Sequence, residues 1–435
     1  MFGWRGRLLR VDLTNGAIAT ETLDPSVARA CLGGRGLGTR IHMAEVPSSI
    51  APLSAENHLI FATGPLTGTL APNGGRYTVV TRTLPAGEMS VASISGRWGP
   101  ELKYAGFDAI IFEGRAENPV YLWVKEGKAE LRPAEGVWGK PVVEATDILL
   151  KATDANGIVS CIGPAGENQV SCSLIVSDYF SAAGGGTGAV MGSKNLKAVV
   201  VCGTQGFRLA DYQRFLKSAT ELRSWMSARP LAAKGACLYD SVLMADSLAW
   251  ENPSPDIKPA RTRGCFSCAT CFSSFAFDES KEPLQLMGGS PPVLLGERLA
   301  EYRSFIDLGL DYVAARSVLA SLEKEGAGDR MEWARKLAAG GEIRAESARS
   351  NGLGVKRGPC IAAGYAIVPA ISAANGRNEP LNNLMAILDS VGLCPFLAAG
   401  IEMETIVELL TAATGMAFTK DELMQVGQTI GWQSA

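Results

Sequence analysis

Three cysteines at C-x-x-C-x-x-C spacing are the residues whose type and spacing most directly predict chemistry in this chain. They are Cys265, Cys268 and Cys271, and a fourth candidate, Cys394, lies far downstream. A [4Fe–4S] cube offers a separate iron to each thiolate, so closely spaced cysteines bind one face while a distant one binds the last corner. Zinc is the alternative metal, although two overlapping C-x-x-C steps crowd one tetrahedral ion, and a lone buried cysteine is usually just a small core residue. The spacing therefore favours an iron–sulfur cluster.

A glycine-rich run at 182–195 is the second candidate site. Consecutive glycines let backbone N–H groups converge on an anion, and a helix that starts there adds its positive end. The run is neither a phosphate-binding Walker loop, because Gly192-Ser193-Lys194 replaces Gly-Lys-Ser/Thr, nor a dinucleotide fingerprint, because Met191 stands where the third glycine belongs. Tight turns and close packing are the alternative explanation. The glycines concerned are Gly184, Gly185, Gly186 and Gly188.

An arginine and a serine-rich turn form the third candidate site. Arg76 and the turn Ser93-Ile94-Ser95-Gly96 lie in one stretch, 72–114. A guanidinium fork matches phosphate oxygens, so these residues are candidates for binding a phosphate or an anionic ring. A solvated arginine and an ordinary turn are the alternative.

Two similar turns, 307–311 and 389–394, each place an acid beside Gly-Leu. The carboxylates of Asp311 and Asp389 are candidates for accepting paired hydrogen bonds from an amino-pyrimidine edge. For Asp311 the alternative is a helix N-cap, and for Asp389 it is a charge on the solvated end of a helix.

Composition excludes several classes of protein. The formal net charge is −3 with both signs interspersed, which argues against a nucleic-acid or membrane-surface binder. No apolar run approaches the roughly 18 residues of a spanning helix, and the first residues lack the apolar core of a signal peptide. Ten cysteines in 435 residues, without an export signal, suggest a cytoplasmic protein with reduced thiols. The two histidines, His42 and His58, exclude a histidine-based site later in the chain.

The elements that must position these residues change character along the chain. Residues 1–205 contain short Val-, Ile- and Thr-rich segments, and Asn15-Gly16 is typical of a type I′ hairpin turn. From about residue 209, apolar residues recur at helical spacing. The pattern predicts an α+β fold, and no internal repeat is apparent. The predicted domains are a largely antiparallel β-rich domain at 1–205 and two mainly helical domains, 206–350 with the cysteine triad and 351–435 with the second Gly-Leu turn.

The predicted strands are 6–13, 17–23, 58–64, 76–83, 108–114, 119–125, 128–133, 157–164, 168–176 and 196–203. The predicted helices are 24–30, 142–152, 210–229, 294–303, 311–325, 330–339, 342–350, 402–413 and 420–428.

Taken together, the motifs resemble those of the aldehyde:ferredoxin oxidoreductase family, whose members carry a tungsten or molybdenum pterin. The resemblance extends from near residue 4 to about residue 430. Its matching segments are 61–82, 96–114, 163–176, 186–203, the cysteine triad, 307–311 and 389–394.

The resemblance implies a β domain that forms a base under two pterins chelating one metal, with helical domains above and a [4Fe–4S] cluster nearby. It implies that Cys265, Cys268, Cys271 and Cys394 ligate the cluster. It also implies that Arg76, Ser93, Ser95, Gly96, Gly184, Gly185, Gly186 and Gly188 hold cofactor phosphates with a magnesium ion, and that Asp311, Asp389 and Leu393 contact pterin rings.

The chain departs from the family pattern at several positions. The last gap of the triad is one residue shorter, Gly184 replaces an arginine, Ser93-Ile94-Ser95 replaces Asn-Ser-Gly, and Ile306 stands where an acid or amide is expected. The chain is also short between the triad and 389–394, where the family contributes a histidine near the metal. Tyr365 and Glu379 are candidates for that proton-transfer role, and no catalytic residue is assigned.

The sequence thus leads to one functional hypothesis and one alternative. The first is a cytoplasmic enzyme that oxidises a small aldehyde to a carboxylic acid and passes electrons through the cluster to a ferredoxin-like carrier. The alternative is a non-catalytic electron-transfer or scaffold subunit of a larger redox complex. A homo-oligomer or a place within such a complex is expected, with neither nucleic acid nor membrane as a partner.

Overall fold

The computed structural model has the predicted α+β fold, with strands concentrated in the first half of the chain and helices in the second. It describes residues 1–84, 87–179, 181–227, 259–262, 265–268, 274–277, 283–286, 303–311, 314–315, 330–340, 378–399 and 401–433. Two six-stranded sheets occupy residues 7–202. The first contains β1 Arg7–Asp12, β2 Ala17–Thr22, β3 Leu59–Thr63, β4 Tyr77–Thr83, β5 Glu88–Ile94 and β6 Ala109–Glu113. The second contains β7 Val120–Lys125, β8 Lys128–Pro133, β9 Ile158–Ile162, β10 Ile175–Ser177, β11 Ser181–Ala183 and β12 Leu196–Cys202.

The two sheets repeat one topology, although the sequence shows no repeat. The strand orders are β2-β1-β6-β3-β4-β5 and β8-β7-β12-β9-β10-β11, so each strand of the first sheet has a counterpart six strands later. The pairings agree as well, because β1–β6 and β7–β12 are parallel while the other pairs are antiparallel. The repeat is therefore one of strand order, which the fold keeps while residue types differ.

Both sheets bury their facing sides in one core. Leu9, Phe61 and Phe112 of the first sheet share this core with Val124 and Val199 of the second. Trp98 packs against the Tyr77 ring at a centroid distance of 4.5 Å and donates its indole N–H to the Val199 carbonyl at 3.1 Å. Burial of these large side chains fixes the sheets relative to each other.

Short helices connect the strands, and longer ones form a second core. The connecting helices are α1 Pro25–Cys31, α2 Gly34–Glu45, α3 Trp98–Tyr104, α4 Val142–Ala152, α5 Pro164–Glu167 and α6 Thr187–Ser193. The later helices are α7 Tyr212–Ser227, α8 Arg330–Ala338, α9 Asn378–Val391, α10 Met403–Thr414 and α11 Lys420–Gln433, with a 3₁₀ turn at Pro395–Ala399. Apolar residues of α7, α9, α10 and α11 pack around Leu66 of the first sheet's β3–β4 connection, which joins the helical layer to the β layer.

Several elements differ from expectation. The strand predicted at 168–176 is limited to β10, and strands β5 and β11 and helices α2 and α9 were not predicted. Three further strands, β13 Pro259–Thr262, β14 Ser274–Phe277 and β15 Pro283–Leu286, form a sheet where helices and loops were expected. The helices predicted at 294–303, 311–325 and 342–350 lie wholly or largely outside the described residues. Within the described part of the chain, every helix is too short or too polar to span a bilayer.

Candidate functional site

A cavity between the β base and the helical layer brings predicted cluster ligands together. Its water-accessible volume is about 10 Å³. Its walls are formed by Asn73, Gly75, Arg76, Ser95, Cys265, Cys268 and Cys394. Cys394 is separated from the other two cysteines by more than a hundred residues, so the fold, and not local spacing, joins them. Cys271 lies outside the described residues.

Backbone hydrogen bonds anchor both cysteine segments to the same stretch of the β base. Asn73 donates its N–H to the Ser267 carbonyl at 2.9 Å and accepts from the Cys394 N–H at 3.1 Å. The Phe266 N–H donates to the Gly96 carbonyl at 3.2 Å, and the Cys268 N–H donates to the Cys265 carbonyl at 3.0 Å. The backbone of Asn73 therefore binds both the segment of Cys265 and Cys268 and the segment of Cys394, which fixes their relative position.

Arg76 supplies a buried positive charge beside the thiols. Its Nη2 donates to the Cys394 sulfur at 3.3 Å and its Nη1 to the Ser93 carbonyl at 3.2 Å. Burial works to lower the pKa of Arg76, but the negative groups of Cys394, Asp389 and Cys265 outweigh it and hold that pKa above its ordinary value. The guanidinium is therefore charged, and it lies within hydrogen-bonding distance of the Cys394 sulfur.

The thiol of Cys265 experiences opposing influences. Burial raises the pKa of Cys265, while a hydrogen bond from Ser95 and the positive charge of Arg76 lower it and the nearby Cys394 raises it further. Coordination to a metal removes the thiol proton outright. Ser95 and Arg76 thus provide the polar contacts that a metal-bound thiolate needs where water is largely excluded.

The donor set fits an iron–sulfur cluster. Three thiols surround one cavity, and the buried Nε of Arg76 has no hydrogen-bond partner in the structure, although it is a strong donor. A cluster whose sulfurs accept hydrogen bonds would satisfy such a donor. Within the described residues, no group of three His, Cys, Asp or Glu side chains is arranged to hold a single metal ion.

The two Gly-Leu turns dock on equivalent places of the repeated sheets. Leu66 donates its N–H to the Val391 carbonyl at 2.9 Å, and in the second repeat Ala165 donates to the Leu308 carbonyl at 3.0 Å. The next residues pair in the same way, since the Gly392 carbonyl accepts from Arg76 N–H and the Gly309 carbonyl from Leu174 N–H. The last residue of each turn also binds its own sheet, because Cys394 donates to Asn73 and Asp311 to the Cys172 carbonyl.

Two glycines permit this docking. Gly64 follows β3 and Gly163 follows β9, and each precedes a proline. A Cβ at Gly163 would lie 2.6 Å from the carbonyl carbon of Leu308, and one at Gly64 would overlap the backbone of Val391. Only glycine allows the backbones to approach so closely. These Gly-Pro turns were missed in the sequence, although a Gly-Pro after each of two buried strands is a detectable signal.

The acidic residues of the turns have different surroundings. Asp389 is buried, and its carboxylate lies 3.8 Å from the Arg35 guanidinium. Asp311 accepts the Ala314 N–H at 3.0 Å, which agrees with the helix-cap alternative. Leu393 is buried in the helical core. Tyr365 and the side chain of Glu379 lie outside the described residues.

The glycine-rich run lies beside the serine turn. Ser95 donates its N–H to the Ser181 hydroxyl at 3.0 Å, which places the end of β5 next to β11 and the glycines that follow it. Close packing explains Gly186 and Gly188, because a Cβ would lie 2.7 Å from the Ser171 carbonyl at the first and 2.6 Å from the Leu174 carbonyl at the second. Of the other two, Gly185 is exposed and Gly184 is buried.

Comparisons with known proteins agree with this arrangement. The family model of the aldehyde ferredoxin oxidoreductase N-terminal domain matches residues 8–203, and that of domains 2 and 3 of the same family matches 376–432. Tungsten-containing aldehyde ferredoxin oxidoreductases of Pyrococcus horikoshii and Pyrococcus furiosus are each 31% identical, and the alignments cover 99% of this chain and 88% of each relative.

Two further matches concern a subunit and a complex. The WOR-like subunit of an aliphatic sulfonate oxidoreductase from Pyrococcus furiosus is 35% identical over 52% of this chain and 40% of its own length. The active-site complex BamBC of benzoyl coenzyme A reductase has the same fold at a TM-score of 0.79 and 21% identity, over 100% of this chain and 89% of that one. From its two family domains and its near full-length relatives, the chain belongs to the aldehyde ferredoxin oxidoreductase family.

Proposed function

We propose that this protein is a tungsten- or molybdenum-pterin oxidoreductase that oxidises an aldehyde to a carboxylic acid and passes the electrons through a [4Fe–4S] cluster to a ferredoxin-like carrier. The observation that carries the proposal is the convergence of Cys265, Cys268, Cys394 and the charged Arg76 on one cavity in the β base. The names of the tungsten-containing relatives support the heavy metal and the aldehyde.

Each cofactor has its own set of residues in this proposal. Cys265, Cys268 and Cys394 hold the cluster, with Cys271 as the remaining ligand. The two equivalent turns at 307–311 and 389–394 hold one pterin each, through Asp311, Asp389 and Leu393. Arg76, the turn Ser93–Gly96 and the glycines 184–188 hold the cofactor phosphates, with a magnesium ion between them.

The protein's own contribution is position and charge. When bound, the metal-pterin would supply the two-electron oxidation of the aldehyde with water to an acid and two protons, and the cluster would supply a one-electron path out. Arg76 keeps a positive charge 3.3 Å from the Cys394 sulfur, in a buried setting. Backbone hydrogen bonds of Asn73 hold both cysteine segments at the cavity. A cytoplasmic location belongs to the same proposal, because free thiols persist in a reducing compartment.

Elemental analysis of protein purified without oxygen tests the proposal. We expect about four irons and one tungsten or molybdenum per chain, since one cube is inferred. Aldehyde-dependent reduction of a viologen dye by the same sample is the second expected result. Protein that contains neither iron nor a heavy metal after anaerobic purification would contradict the proposal.

A scaffold or electron-transfer subunit is the second candidate, and chain length favours it. The alignment with the Pyrococcus horikoshii enzyme spans 532 positions against 435 residues, so at least 97 positions have no residue here. The chain also has no histidine after His58 to stand near a metal. Four irons without tungsten or molybdenum, and no aldehyde oxidation, would identify this second function.

A further inference from the structure

The loop that carries Cys265 and Cys268 is less deeply buried than the groups behind it. Its four described residues are all half-buried, whereas Cys394 and Arg76 behind it are buried. Electron transfer slows steeply with distance, so a redox partner must approach the cluster from the side where the least protein intervenes. In the part of the chain that the structure describes, Phe266 and Ser267, which stand between the two cysteines, mark that side.

An apolar surface surrounds Phe266. Its ring packs edge-on against Tyr104 at 6.2 Å, and Tyr104 stacks on Phe207 at 6.2 Å. Tyr104 also donates its hydroxyl to the Gly68 carbonyl at 2.6 Å, which links the three rings to the turn that carries Leu70. Leu70 is 50% exposed, and the three aromatic side chains are half-buried. Exposed apolar residues clustered with aromatic rings are typical of the centre of a protein interface.

Two exposed arginines flank this apolar surface. Arg223 of α7 donates to the Ser267 hydroxyl at 2.9 Å, and Arg97 follows Gly96, whose carbonyl accepts the Phe266 N–H. In the part of the chain that the structure describes, neither guanidinium forms an ion pair with a carboxylate. The nearby Glu101 carboxylate accepts the Gly203 N–H at 3.0 Å. The net charge of the whole chain is −3, so this positive rim is a local feature.

We infer that this surface, with Leu70 and Phe266 at its centre and Arg97 and Arg223 at its rim, is the docking site of a small acidic iron–sulfur protein that exchanges single electrons with the cluster. The inference rests on the proposed function, because it needs the cluster. Positive charge steers an acidic partner to the surface, and a small apolar centre suits a complex that forms and separates quickly.

Electron transfer from a reduced acidic [2Fe–2S] ferredoxin into the oxidised holoenzyme tests this inference. Visible circular dichroism follows the ferredoxin, whose centre has a strong signal of its own. Arg97→Glu and Arg223→Glu should each lower the second-order rate constant about tenfold at low ionic strength, and the difference should shrink in high salt. Leu70→Asp should lower the rate constant at every salt concentration, because it removes the apolar contact.

Two controls separate docking from other effects. Lys128→Glu makes the same charge change at an exposed position of β8, the edge strand of the second sheet, and should leave the rate constant within about twofold of the original. Reduced lumiflavin, a small neutral reductant, should reduce the cluster of every variant at the same rate.

The inference is overturned if Arg97→Glu, Arg223→Glu and Leu70→Asp all react with ferredoxin at the original rate. It is also overturned if lumiflavin slows in parallel with ferredoxin, or if Lys128→Glu slows as much as the arginine variants. Iron content and lumiflavin reduction report on the cluster itself. A failure of the proposed aldehyde oxidation can therefore be distinguished from a failure of ferredoxin docking.

Discussion

Arg76 and Cys394 together decide the electrostatics of the cavity. A buried guanidinium is stable only where negative groups and acceptors compensate for lost hydration, and here the Ser93 carbonyl and the Cys394 sulfur do so. The same positive charge offsets the negative charge of thiolates. The arginine and the cysteines therefore depend on each other, and either is costly to bury alone.

The ligand assignment predicts the effect of Cys268→Ser. A serine hydroxyl is a poor iron ligand, so the cluster should be lost or partly lost, with lower iron content and bleaching of the broad visible absorption. Anaerobic purification followed by iron analysis and a visible spectrum measures both.

Cys202→Ser is the matched control for that prediction. Cys202 is a buried cysteine at the end of β12 and does not line the cavity, so colour and iron content should be retained. If Cys268→Ser kept the colour and iron of the original protein, Cys268 would not be a ligand.

Single residues were predictable from the sequence where side-chain chemistry repeats at fixed spacing. Cys265 and Cys268 belong to this class, and the structure brings both to one cavity with Arg76, while their role as ligands stays a prediction. Asn73 was not predictable, because its role depends on its backbone N–H and carbonyl, which every residue but proline possesses. That Arg76 would contact Cys394 was equally hidden, since 318 positions separate them.

At the scale of elements, the Gly-Pro turns after β3 and β9 carry the contact between the β base and the later chain. A backbone-to-backbone contact without side chains leaves no room for adjustment. Each Gly-Pro turn is thus a rigid docking position for a Gly-Leu turn from a distant helix.

Alanine in place of Gly64 or Gly163 should destabilise the protein, with a different effect on iron content at each position. Gly64→Ala and Gly163→Ala should each lower the free energy of unfolding by about 1–3 kcal/mol, as overpacking does. Gly64→Ala should also reduce iron content, because it displaces the turn that ends in Cys394. Gly163→Ala should keep its iron, because the turn that it displaces ends in Asp311. Thermal unfolding and iron analysis measure the two effects.

Gly136→Ala is the control for this pair, because a Cβ there has no atom within 4 Å. Its melting temperature and iron content should match those of the original protein. Equal iron loss in Gly64→Ala and Gly163→Ala would contradict the division of roles between the two turns.

Strands and helices were predictable where apolar residues recur with the clear spacing of a strand or of a helix. The alternating segments became β1, β2 and β7, and the amphipathic segments became α7, α10 and α11. Helix α2 was missed because its glycines have low helix propensity, and it is formed instead by tight packing of Gly38 against Val80. Tertiary contact overrides local preference at such positions.

At the scale of the whole molecule, the central β layer contains three fully buried lysines. Lys103 lies 3.3 Å from the Asp108 carboxylate, and Lys197 pairs with Glu167. Lys194 donates instead to the carbonyls of Ala55 at 3.1 Å and Gly114 at 2.8 Å, and forms no ion pair within the described residues. Burial lowers the pKa of Lys194 to about 7.

This lysine predicts a rise in stability between pH 7 and pH 9. The unfolded chain keeps Lys194 protonated up to about pH 10.4, while the folded protein releases the proton above about pH 7, so unfolding takes up a proton in this interval. The free energy of unfolding should therefore rise by about 2 kcal/mol from this group, and Lys194→Met should abolish that rise. Urea unfolding followed by tryptophan fluorescence measures the slope.

A control variant and the stability of the protein at acid pH complete the test of this pH dependence. Lys128→Met, at an exposed site, should keep the original slope, and an unchanged slope in Lys194→Met would contradict the prediction. Burial lowers the pKa of His42 to about 4, so stability should also fall as the pH drops from about 6.5 to about 4.

The repeated sheets offer two matching corners, and their side chains make them unequal. At one corner the Gly-Leu turn ends in the sulfur of Cys394, and at the other it ends in the carboxylate of Asp311. In the proposed enzyme, a redox group lying between the corners would therefore meet the thiols of the cluster on one side only. The path of the electrons would then follow side chains that the repeat of strand order does not preserve.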